Sequence, residues 1–215
     1  MSEKTIHEAL TSRRSIRQFS SQQIPIETIK EIVKDAQWTP SWANAQPWKL
    51  YVATNQTAKE IKEDYASGAL ETNIDMPSFS GEHWGMQERQ NMSHWGDQIR
   101  GFLKTEMSQF QNAQQNLFDA PTIAIITVSK NAPIWEIYDA GAFEQSLLLS
   151  AYDHGVDSIV AVAFVTYADY LHQKLAIPED ESIVMGIGLG YRSDEKINTF
   201  KSDRVPLEEM LVIKD

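Results

Sequence analysis

The chain contains no cysteine. Disulfides, thiolate metal sites and a cysteine nucleophile are therefore excluded, and the composition fits a cytoplasmic protein. No apolar run approaches the roughly 18 residues that a membrane helix needs, and residues 1–20 hold no apolar core of a signal peptide, so no membrane association is expected. Positive charge is scarce: 19 Lys and Arg face 30 Asp and Glu, for a formal net charge of −11. Nucleic-acid binding draws its affinity from basic side chains that neutralise phosphates, so no nucleic-acid partner is expected. Repeats and low-complexity segments are absent, as are a Walker sequence and a G-x-S-x-G elbow. The five histidines show no tight ligand spacing; His83 and His94 with Glu82 or Glu88 are the nearest approach to a metal cluster, and no metal is expected. No triad or paired-carboxylate pattern stands out. Gly186-Ile187-Gly188-Leu189-Gly190-Tyr191 fails the dinucleotide fingerprint, because Tyr191 takes the third glycine's place and only 24 residues follow. Close backbone packing explains these glycines better.

Against that acidic background, Arg13, Arg14 and Arg17 crowd into five positions. A guanidinium presents a planar fork of donors that fits phosphate or carboxylate oxygens. The cluster is either a solvated basic turn or an anion site, most simply for a phosphorylated ligand. Around it, the 215 residues and 42% hydrophobic content suffice for a sizeable core. Thr5 and Glu8 form a capping-box pattern that starts a helix through Leu10. Helical spacing marks 27–37, about 56–66, 98 to about 116, 138–154 and 168–175. Strands are predicted at 49–54, 122–128, 159–165 and 183–189. Two prolines keep Thr39-Pro40-Ser41-Trp42-Ala43-Asn44-Ala45-Gln46-Pro47-Trp48 a loop. Trp48, at a strand entry, reads as core packing. Residues 67–95 read as a polar excursion of poor regular structure, and about 198–215 as a C-terminal arm outside the core. The interleaved helices and strands imply a single α/β or α+β domain over 1–215, with helices on both sheet faces.

Three separated motifs then line up with one family. Arg13-Arg14-Ser15-Ile16-Arg17-Gln18-Phe19 resembles the N-terminal signature of FMN-dependent nitroreductases. Pro40 to Trp48 resembles their second signature, and Lys201 and Arg204 before Val205-Pro206-Leu207-Glu208-Glu209 resemble their C-terminal motif. Phe118-Asp119-Ala120-Pro121 and Asp139-Ala140-Gly141 are similar as well, and the order holds along essentially the whole chain. The resemblance implies a three-layer fold with a central, mainly antiparallel sheet flanked by helices. It implies a homodimer with FMN at the subunit interface.

By the same resemblance, Arg13, Lys201 and Arg204 would bind the FMN phosphate, with Arg14 beside it or facing solvent. Ser15 and Arg17 would serve the ribityl chain and the pyrimidine edge of the ring. Asn44 and Gln46 would supply amide groups, and Ser41 a further contact. The implied activity is ping-pong transfer from NADH or NADPH, through FMN, to a small-molecule acceptor such as a nitroaromatic or a quinone. No side chain need act as nucleophile or base. Met76, Phe79, Trp84, Met86 and Trp95 in the excursion are candidates for a lid or wall over the substrate. The chain departs from many relatives at Val160-Ala161-Val162-Ala163-Phe164, where a proline and an acidic-glycine pair are missing. The alternatives are a flavin-fragmenting or dehalogenating enzyme on the same fold, and a non-enzymatic FMN-binding protein.

Overall fold

The computed structural model describes residues 5–76 and 84–215. Its centre is strand β2 (Thr122–Ser129), a largely apolar strand buried along nearly all its length. β1 (Lys49–Thr54) pairs with one edge of β2, β4 (Glu181–Gly190) with the other, and β3 (Asp157–Val160) with the far edge of β4. All three pairings are antiparallel, in the order β1-β2-β4-β3. Successive side chains of a strand point to opposite faces. Ile123 and Ile125 therefore enter one core layer, while Ala124, Ile126 and Val128 enter the other.

The first layer holds α3 (Asn55–Ala66) and α7 (Ala168–Lys174); the second holds α2 (Ile26–Ala36) and α6 (Ile134–Asp153). Trp48 stacks on Phe143 of α6 at 4.8 Å, the core position expected of it. The glycines of β4 share the first face. A Cβ on Gly186 would lie 2.3 Å from Phe164 Cβ, and one on Gly188 2.7 Å from Phe164 Cζ. Phe164 thus fills the space their side chains would need, which is the close packing expected of this run.

One buried carboxylate fastens the strands. Glu181 accepts from Thr127 Oγ1 at 2.6 Å, from Tyr51 Oη at 3.0 Å and from the ammonium of Lys49.

Helix α1 (Ile6–Ser12) carries the capping box of Thr5 and Glu8. Beyond it, Ile16 N–H donates to Ser158 O at 3.0 Å, so the first signature lies alongside β3.

Several boundaries differ from expectation. The strand predicted at 159–165 ends at Val160 and gives way to a 3-10 turn at Val162–Val165. The apolar run satisfies both states, and the turn is what drops Phe164 onto the glycines. The helix predicted at 138–154 starts at Ile134. The one predicted at 98–116 is two helices, α4 (Met86–Leu103) and α5 (Met107–Gln115), separated at Lys104 by a backbone of φ 51°. The bend turns Trp95, Phe102 and Phe110 onto Ile197 and Phe200.

Residues 86–95 of the excursion are thus helical, as a run of strong helix formers allows. Its earlier part is clasped by Asn73, which accepts from and donates to the backbone at the start of α7, and by Asp75, which accepts from Ile183 N at 2.7 Å and pairs with His172 at 2.8 Å. Phe79, Glu82 and His83 lie outside the described residues. The C-terminal arm is not wholly peripheral either. Asn198 and Phe200 are buried, and a short α8 (Leu207–Met210) follows.

Candidate functional site

Arg13 leaves the end of α1 half-buried, over α6. Two like charges, Arg14 and Arg204, act on it, and burial and both repulsions lower its pKa. Only Glu144, on α6, offsets them. Arg204 comes from the other end of the chain, so the fold brings together the influence of three arginines that Glu144 opposes. Glu144 pays for the same burial: its carboxyl is pushed up to about 7, and Arg13 only partly counters this.

Arg14 has a structural task. Its guanidinium donates to Thr11 O and Arg13 O, both at 2.7 Å, and so satisfies carbonyls left open at the end of α1. Lys201 is exposed and forms no ion pair among the described residues. The charges that shift Arg13 are those of Arg14, Arg204 and Glu144.

Ser15 lies in the bridge to Ser158, and its carbonyl accepts from Arg17 at 3.1 Å. The Arg17 guanidinium sits 5.8–6.0 Å from the ring centres of Phe200, Trp95 and Phe110, and burial lowers its pKa. Asn198 holds the backbone here. Its Oδ1 accepts from Arg17 N at 2.8 Å and from Gln18 N at 3.1 Å, while its Nδ2 donates to Gln18 O at 2.7 Å and Ser193 O at 3.0 Å. Sequence reasoning missed this residue. A single asparagine carries no spacing signal, and its partners in the first signature lie 180 and 181 positions away.

The second signature forms a strained loop. Ala43, Asn44 and Gln46 have φ of 47°, 59° and 47°, in the left-handed region. Such backbone persists where surrounding contacts impose it, and it clusters at functional sites. Two contacts impose it here: Ser41 Oγ accepts from Gln46 N at 2.9 Å, and the buried Asp139 of α6 accepts from Trp42 N at 2.9 Å. Asp139 thereby gains a task that its place in the sequence did not reveal. Asn44 and Gln46 are exposed, and the Asn44 amide makes no hydrogen bond among the described residues. Trp42, at the loop tip, lies 5.9 Å from Trp135.

Gly188 and Gly190, expected to serve close packing, are covered by Phe164, Ala120, Pro121 and Phe19 of this chain. In the departing segment Phe164 is buried and Val162 exposed, and Ala161 N donates to Gly186 O at 3.2 Å. Met76 packs on the core layer of α2 and α6, Trp95 on Arg17 and the Phe200 cluster, and Trp84 and Met86 are exposed. Among the described residues no group of acidic or histidine side chains is placed to hold a metal, and no helix is long and apolar enough to cross a membrane.

A four-stranded antiparallel sheet between helical layers defines an α+β protein, in which residues from the two ends of the chain, Arg13 and Arg204, act on one another electrostatically. The model of the nitroreductase family matches residues 10–191, and the chain belongs to that family. The chain is 29% identical over 219 residues to the chloronitrobenzene nitroreductase of Comamonas testosteroni, covering 95% of this chain and 94% of that protein. It is 28% identical over 192 residues to the 4-nitrobenzoate reductase of a Nocardioides strain, covering 83% and 77%. Its fold is similar to that of the FMN-dependent nitroreductase NfnB of Mycobacterium smegmatis, solved with NADPH, at a TM-score of 0.89, 24% identity and 97% coverage of both chains.

Proposed function

We propose that the chain is an FMN-dependent oxidoreductase that takes reducing equivalents from NADH or NADPH and passes them to nitroaromatic or quinone-type acceptors. The observation that carries this is that the charges of Arg14 and of Arg204, from the other end of the chain, both act on the half-buried Arg13, with Glu144 opposing them. Such an excess of guanidinium in a chain of net charge −11 fits a phosphate monoester. The relatives act on chloronitrobenzene and 4-nitrobenzoate by name, which favours nitroaromatic acceptors here.

Bound FMN would supply the redox chemistry, taking reducing equivalents from the nicotinamide and passing them to the acceptor. This chain's residues bind and orient it. Arg13 and Arg204 hold the phosphate, with Lys201 within the same arm. Ser15 and Arg17 face the ribityl chain and the pyrimidine edge, where a cation favours the negative charge of the reduced ring. Ser41 holds the loop that offers Asn44 and Gln46. Exposed aromatic and apolar side chains, among them Trp38, Trp42, Trp135 and Tyr138, support a homodimer in which the two subunits share each FMN site. A cytoplasmic setting, where reduced nicotinamides are abundant, suits this chemistry.

The test is a visible spectrum of the purified protein, recorded before and after anaerobic addition of NADH or NADPH. A flavin spectrum that bleaches, and returns on addition of a nitroaromatic, is the expected result. A colourless protein that stays so with excess FMN overturns the cofactor. A flavin that bleaches but ignores nitroaromatics and quinones points to another activity on the same fold, and one that neither donor reduces points to a binding protein.

A further inference from the structure

Arg17 sits in an environment unlike that of the other arginines. Its guanidinium is surrounded by Trp95 of α4, Phe110 of α5 and Phe200 of the arm, at 5.9, 6.0 and 5.8 Å from the ring centres. Trp95 and Phe110 themselves meet edge to face at 6.0 Å. A guanidinium carries five N–H donors. Here Ser15 O accepts from one terminal nitrogen, and no carboxylate among the described residues pairs with it. Ring faces stabilise a cation but accept few of its hydrogen bonds. The backbone beneath is equally fixed, because Asn198 accepts from Arg17 N and Gln18 N and donates to Gln18 O. The result is a charged fork held on three sides by apolar rings, with most of its donors unspent.

We propose that Trp95, Phe110 and Phe200 form an aromatic box that positions Arg17 and keeps water from it, so that its remaining donors serve the flavin pyrimidine edge and favour the reduced ring. This rests on the flavin reading above. The physical reason is dielectric: one charge acts on another more strongly where rings replace water. The three rings come from three separate elements, so α4, α5 and the C-terminal arm all bear on one arginine. They are positioning residues and act through Arg17.

The test is spectroelectrochemistry of the FMN-loaded protein, comparing wild type with Trp95→Leu, Phe110→Leu, Arg17→Gln and the double variant Trp95→Leu/Arg17→Gln. Trp95→Phe serves as the conservative rescue, and circular dichroism checks folding. The expected result is that Trp95→Leu and Phe110→Leu each lower the preference for reduced over oxidised FMN about tenfold, a shift of ~30 mV to more negative potential for a two-electron couple. Trp95→Phe retains most of the wild-type value, and Trp95→Leu has no further effect once Arg17 is Gln. A shift from Trp95→Leu of the same size with and without Arg17 overturns the box. So does an unchanged potential in both leucine variants that still bind FMN, and the flavin reading then stands without it. Wild-type protein that takes up no FMN removes the flavin reading itself, and the box with it.

Discussion

Arg13 and Glu144 share a half-buried space with unequal support. The arginine is destabilised by burial and then by two like charges, the glutamate by burial, and each is the other's partial remedy. Replacing Arg13 with Ala removes a charged donor to phosphate, a contact of roughly 1.5–3 kcal/mol. FMN affinity is expected to fall at least tenfold, measured by fluorescence titration, with the fold retained. Glu144 makes a prediction about pH. Its folded pKa, about 7, lies above the ordinary glutamate value. The native state therefore holds a proton that the unfolded chain releases, and stability falls as pH rises from about 4.5 to about 7, by up to about 3 kcal/mol for this group. Glu144→Gln should be more stable than wild type at pH 8 and nearly equal to it at pH 4.5. Urea unfolding at the two pH values checks this, and an equal difference at both would refute it.

At the scale of the element, β4 and the 3-10 turn before α7 were made for each other. A Cβ on Gly186 would meet Phe164 Cβ at 2.3 Å, a distance that only movement of backbone or ring can relieve. Gly186→Ala is expected to cost about 1–3 kcal/mol through overpacking. Its urea midpoint should fall while the slope of the transition stays unchanged. The elements also show what the sequence displays and what it conceals. The capping box of α1, strand β1 and the run of β2 are legible because each follows from neighbours a few positions away. The end of β3 is not, because Val160 to Val165 is apolar throughout and only the glycines of β4 decide that Phe164 turns inward. The break at Lys104 is hidden likewise: nothing local demands φ of 51° there, and the packing of Phe102 and Phe110 on the arm does.

The whole molecule leaves a large apolar surface in water. Trp38 is 88% exposed, and Ile134, Tyr138, Val212 and Ile213 are each above 70%. Isolated exposed apolar residues are ordinary, but so many in one chain fit the homodimer proposed above. Sedimentation equilibrium should give a dimer at micromolar concentration. Removing residues 207–215 should weaken both the dimer and FMN retention if the arm takes part in the interface. A monomer that holds FMN as tightly as the full chain would refute the shared site.

The sequence alone determined the acidic balance, the absence of thiol chemistry, the main helices and strands, and three motifs in family order. Each is a property of composition or of residues close along the chain. It also placed Ser41, Asn44 and Gln46 in a loop, because two prolines forbid a helix there. Only the tertiary structure decided that the charges of Arg204 and Glu144 act on Arg13, and that Arg17 sits among three rings. It also decided that Asp139 and Asn198 hold the two signatures in place. The hydrogen bonds of Asp139 and Asn198 to the signatures join residues that the chain separates by 97 to 181 positions. Charge repulsion, burial and the capacity of one amide to bind two backbones act through space, and a linear pattern records none of them.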